Sequence, residues 1–168
     1  MERNSKLSYG LLSLACLVVG CLLLSNLTGC KHDQSAYANP TIYRHKTLVE
    51  AKLSATAEAR DIAGVHYQCI GTASMEPLIV GQAYLVCEWT PFSALKVGDI
   101  INYLPAWNYG RLTVHRIVAI DRGGLIMSGD NNRWSESWER VTADNYVNRV
   151  VSIHAWDGIE NTRVRWRH

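Results

Sequence analysis

The sequence lacks an excess of charge of either sign: 17 Lys and Arg stand against 15 Asp and Glu, a formal net charge of +2. Without residues 1–29, which hold Glu2, Arg3 and Lys6, 15 basic residues face 14 acidic ones. A balance this close to neutral gives no electrostatic case for a nucleic-acid partner, and none is expected. Phenylalanine is nearly absent, with one Phe against six Trp and eight Tyr. These aromatics are scattered along the chain, as in strand and core packing, and do not form a stacking platform. There is no internal repeat and no low-complexity segment. His32, His45, His66, His154 and His168 lack ligand-type spacing with Cys or carboxylates. Neither a metal nor another cofactor is therefore expected. At 168 residues the chain has room for one domain of ordinary size.

The sequence does contain one long apolar run. Met1 to Lys6 is polar and carries Arg3 and Lys6, and Leu7 to Thr28 is almost entirely uncharged and apolar. This order reads as an export segment whose start remains in the cytoplasm. It ends in Leu27-Thr28-Gly29-Cys30, which resembles the lipobox of bacterial lipoproteins. The resemblance implies a lipid anchor on Cys30 and a protein of the bacterial cell envelope. An uncleaved transmembrane anchor stays open, because the run exceeds the usual signal-peptide core of about 7–15 residues. An ordinary cleaved signal peptide is the third reading. The first two place residues 31–168 outside the cytoplasm, with membrane lipid as a partner. In that oxidising compartment Cys69 and Cys87 form an even pair for which a disulfide is allowed; two buried free thiols are the alternative.

Past residue 30 the chain reads in two parts. Residues 31–46 have the look of a tether, and Thr47-Leu48-Val49-Glu50 forms a capping box opening a helix that closes before Gly64. From Val65 the pattern changes to short β-type runs separated by Gly, Pro and Asp. Strands are expected at 65–70, 83–89, 100–104, 112–120, 125–128 and 147–156. The fold expectation is therefore a mainly β, antiparallel catalytic domain over 65–168, preceded by a short helix within 30–64 and an export segment over 1–29. Arg163, Arg165 and Arg167, alternating with Val164 and Trp166, suggest an edge strand or tail.

Four blocks carry the chemistry: Gly71-Thr72-Ala73-Ser74-Met75-Glu76-Pro77, Lys96-Val97-Gly98-Asp99-Ile100-Ile101, Val114-His115-Arg116-Ile117-Val118 and Gly129-Asp130-Asn131-Asn132. In this order and at these intervals they resemble the type I signal peptidase family, part of the superfamily that holds the LexA-type repressors. The resemblance covers about residues 66–155. It implies that Ser74 is a catalytic nucleophile, since a serine hydroxyl attacks only when a nearby base takes its proton. His115 stands where most bacterial members carry Lys, as in the endoplasmic-reticulum and archaeal branch. An imidazole can serve there without the desolvation that a lysine base needs. The same resemblance implies Asp130 or Glu136 as the third member orienting His115, with Asp130 the identity and Glu136 standing where relatives carry Asp. It implies the backbone N–H of Ser74 and the hydroxyl of Thr72 as oxyanion donors. Pro77 and Met75 read as structural, and Gly98-Asp99 as a turn opening a strand.

The function expected is a membrane-anchored serine endopeptidase, whose partner is an exported protein or peptide cut after small residues. An inactive peptidase fold acting as an envelope binding lipoprotein is the alternative. Self-cleavage of the LexA type would need a Lys base and a joined DNA-binding domain, and neither is visible.

Overall fold

The structure, a computed structural model, describes residues 39–70 and 73–156. The export segment with Cys30, the hydroxyl of Thr72 and the alternating 163–167 stretch lie outside the described residues. The described residues are mainly β, with seven strands in one sheet and one α-helix among them. The strands are β1 (Thr41–His45), β2 (Val65–Ile70), β3 (Gln82–Glu88), β4 (Ile100–Tyr103), β5 (Thr113–Asp121), β6 (Gly124–Ser128) and β7 (Tyr146–Trp156); helix α1 spans Leu48–Asp61. Along the sheet the order is β2-β3-β7-β4-β5-β6, antiparallel throughout. β7 is the long central strand: Tyr146, Asn148 and Arg149 pair with β4, and its last five residues pair with β1 in parallel.

β1 places residues 41–45 of the expected tether in the sheet; residues 31–38 lie outside the described residues. Its five residues are too few to show a period, and their partner lies about 110 positions away in the chain. His45 Nε2 meets His154 Nδ1 at 3.0 Å, and the Tyr43 ring stacks on His154, so side chains as well as ladder bonds hold this strand.

α1 begins as expected. Thr47 Oγ1 accepts from the Glu50 amide at 3.1 Å, and Glu50 Oε2 accepts from the Thr47 amide at 3.3 Å, so two otherwise orphaned donors are satisfied reciprocally. Ala51, Ala55 and Ala59 recur every four residues and bury one stripe against Tyr84, Val86 and Val151. Their small side chains let the helix axis lie close to the sheet, so α1 belongs to the domain. At the far end, a Cβ on Gly64 would stand 2.3 Å from the Cys87 carbonyl oxygen, so only glycine allows the turn into β2.

Two apolar clusters fill the rest. One joins Met75 and Ile79, just past the expected nucleophile, to Leu85, Ile100 and Ile153. The other packs Ile101, Tyr103, Ile117, Leu125, Met127 and Val141. The two adjoin along β4, where Ile100 and Ile101 point to opposite faces.

Of the two readings left open for Cys69 and Cys87, the structure has free thiols and not a disulfide. The two lie on neighbouring strands. Cys69 lies opposite Ala83, and Cys87 opposite Val65, an offset of four residues. At the strand rise this is about 13 Å, twice what a disulfide spans. Burial pushes the Cys87 thiol up to about 12, against a smaller opposing pull from the Asn102 amide. Alkylation of the denatured protein without prior reduction should therefore modify both cysteines, as read by peptide mass spectrometry. Recovery of a linked Cys69–Cys87 peptide would contradict the register.

Candidate active site

His115 and Arg116 are neighbours on β5, and the alternation of a strand sends their side chains to opposite faces. His115 lies opposite Ile101 of β4 and diagonal to Tyr103, while Arg116 lies opposite Ile100. Each then meets a different carboxylate.

On the first face, His115 Nε2 is 3.1 Å from Ser74 Oγ and His115 Nδ1 is 2.8 Å from Glu136 Oε1. His115 and Glu136 are each 5% exposed, and Ser74 is half-buried. The carboxylate can only accept, so it places the imidazole proton on Nδ1 and leaves the Nε2 lone pair for the serine hydroxyl. Burial pushes the Glu136 carboxyl upward, but hydrogen bonds from His115 and Tyr103 together with the imidazole charge outweigh it. The net direction is below the ordinary carboxylate range. A carboxyl depressed in this way stabilises the fold above its unfolded pKa of about 4.3 and loses that contribution as the pH falls through its folded value. The Glu136 amide donates to the Met127 carbonyl at 2.7 Å, which ties the residue to the end of β6. The second carboxylate oxygen, Oε2, accepts from the Tyr103 hydroxyl at 2.5 Å.

On the other face, Arg116 is 1% exposed and forms a two-pronged pair with Asp130, Nε to Oδ1 at 2.8 Å and Nη2 to Oδ2 at 2.7 Å. Its remaining reach goes to the Gly98 carbonyl and Asn39 Oδ1, each at 2.8 Å. Of the two carboxylates left open for orienting His115, it is Glu136 that meets the imidazole. The Asp at the motif identity neutralises a buried guanidinium, and the longer Glu136 reaches the imidazole.

The Gly129–Asn132 block still meets the turn that carries Ser74. The Asn131 amide donates to the Ser74 carbonyl at 2.8 Å, and Asn131 Nδ2 donates to the Ala73 carbonyl at 3.0 Å. A Cβ on Gly129 would meet the Ser74 carbonyl oxygen at 2.5 Å, so glycine permits the approach. Ala73 itself sits at φ +68°, the left-handed region, where a side chain costs about 1 kcal/mol. The turn carrying Ser74 is thus gripped by its neighbour loop. As expected, Met75 is buried beneath this turn, and Gly98-Asp99 opens β4, with Asp99 Oδ2 accepting from the Lys96 amide.

The site opens on a cleft of about 520 Å³ with Ser74 and His115 on its wall, Met75 and Leu85 supplying apolar surface, and Tyr67 and Asn102 supplying polar groups. Among the described residues no group of His, Cys, Asp and Glu is arranged to hold a metal. Sequence reasoning passed over Tyr103, Gly129 and Asn131 as individual actors. The glycine and the asparagine were visible in the fourth block, whereas Tyr103 gave no signal beyond being a strand aromatic.

The two carboxylates predict different failures. Asp130→Asn leaves a buried guanidinium without its counter-charge and should lower unfolding stability by about 3–5 kcal/mol in a denaturant titration. Glu136→Gln should lose far less stability. Equal losses would contradict the division of roles. This reading rests on the chain's own geometry, because no family model, curated protein or solved structure matches it.

Proposed function

We propose that the chain is a serine endopeptidase of signal-peptidase type, held at the outer side of a bacterial membrane and acting on an exported protein or peptide. The observation that carries this reading is the line of contacts Ser74 Oγ–His115 Nε2 and His115 Nδ1–Glu136 Oε1, at 3.1 and 2.8 Å, beside an open cleft. A serine, a base within reach of its proton and an acid fixing that base are what nucleophilic acyl transfer requires. A binding module has no use for the three in line.

In this reading His115 Nε2 takes the Ser74 proton as Oγ forms its bond to the scissile carbonyl carbon. The carbonyl electron pair moves to oxygen, facing the Ser74 N–H and the Thr72 hydroxyl that the family resemblance assigns as donors. Nε2 then returns its proton to the leaving amine as the C–N bond breaks. Water, activated by the same nitrogen, releases the acyl group and regenerates Ser74. Glu136 remains a carboxylate throughout and steadies the imidazolium. The apolar run and the lipobox-like Leu27–Cys30 support an anchor, by lipid on Cys30 or by an uncleaved segment, in an envelope setting where exported chains emerge.

Co-expression with candidate secreted substrates should yield processed products with the wild type and none with Ser74→Ala or His115→Ala, a loss of about 10⁴-fold or more. Identical products from all three would overturn the enzyme reading in favour of a binding lipoprotein. The wild-type rate should fall towards acid pH, because the base must be a neutral imidazole to accept the serine proton. A rate that does not change between neutral and acid pH would indicate another base.

A further inference from the structure

Tyr103 carries a hydroxyl where packing alone would accept a phenyl ring. The residue is 1% exposed, within the cluster of Ile101, Ile117, Leu125, Met127 and Val141. Its oxygen is 2.5 Å from Glu136 Oε2 and 3.1 Å from His115 Nδ1. The two oxygens of Glu136 are thereby divided, Oε1 to the imidazole and Oε2 to the phenol. A glutamate has one more rotatable bond than an aspartate, so its carboxylate needs a second point of attachment to face Nδ1 squarely. The Met127 carbonyl fixes only the backbone of Glu136. Tyr103 reaches the head group because it lies diagonal to His115 across the β4–β5 pair.

We infer that Tyr103 is a positioning residue of this site: its hydroxyl holds the Glu136 carboxylate so that Oε1 meets His115 and moderates the charge the imidazole feels. The role rests on the serine peptidase reading and deepens it. Burial, and then the neighbouring Glu136, hold the phenol above its ordinary range, so it keeps its proton and donates. The donated bond draws part of the carboxylate charge towards Oε2. Without it the carboxylate is at once less well oriented and more basic, and it stabilises an imidazolium more strongly. The other charged groups nearby leave this balance intact. Arg116 lies on the opposite face, paired with Asp130. Glu139 acts on Tyr103 from a distance while its own Oε1 accepts from the Ala106 amide at 2.8 Å.

The test is a histidine NMR titration of the full chain in detergent micelles, comparing wild type, Tyr103→Phe, Glu136→Gln and the double variant. Tyr103→Phe should raise the His115 midpoint by about half a unit or more, and should leave it unmoved in the Glu136→Gln background. Replacing Tyr103 by 3,5-difluorotyrosine, a stronger donor that keeps the bond, should lower the midpoint, which covers the case of a poorly folded Phe variant. In turnover, Tyr103→Phe should lower kcat about tenfold with KM unchanged. An unmoved or lowered midpoint in Tyr103→Phe, a shift that persists without the Glu136 charge, or no lowering with the fluorinated residue would overturn the inference. The titration needs no substrate. A coupled midpoint in a protein that cleaves nothing would sink the peptidase reading and leave the hydrogen-bond relation standing.

Discussion

The Arg116–Asp130 ion pair is the constraint on which the site geometry depends. It is buried on the face opposite His115, so its two charges must answer each other, and they do so with two parallel bonds. Closing that pair draws the loop after β6 against β5. Asn131, the next residue, is thereby carried to the Ser74 and Ala73 carbonyls, and Gly129 has no side chain to prevent it. Ser74 is thus held from behind, through its backbone carbonyl and that of Ala73. Asn39 also bonds Arg116, so the stretch entering β1 is tied to the same guanidinium.

On its other face the same strand presents His115 to an environment of opposite character. Ser74 stays half-open to the cleft, while His115, Glu136 and Tyr103 are almost wholly buried. Low exposure strengthens each hydrogen bond and makes an unpaired one costly. The glutamate therefore has both oxygens engaged. One β-strand step separates the Arg116–Asp130 pair from the His115–Glu136 pair, and strand alternation keeps the two carboxylates from competing for the same partner.

Local chemistry made much of this legible. The capping box placed α1 at Leu48–Asp61, and the turn residues bounded six strands to within one or two positions. Ser74 and His115 were readable because their motifs are short and contiguous. What failed was non-local. β1 is five residues long, and its signal lies in a partner across the chain. The pairing of Cys69 with Cys87 rested on an even count, and a count carries no register; four positions of offset decide against it. Asp130 was favoured over Glu136 because it matched a motif, yet the motif's own arginine claims it. Tyr103 was one aromatic among many until its hydroxyl was seen against Glu136.

The central claim is that Ser74 is a nucleophile activated by His115, and a serine-directed fluorophosphonate tests it without knowledge of the substrate. Its phosphorus is attacked by an activated serine oxygen with loss of fluoride, leaving a stable adduct of defined mass. The account predicts a single adduct mapping to Ser74, with labelling that is abolished in His115→Ala. Labelling absent from Ser74 in the folded wild type, or undiminished in His115→Ala, would contradict it.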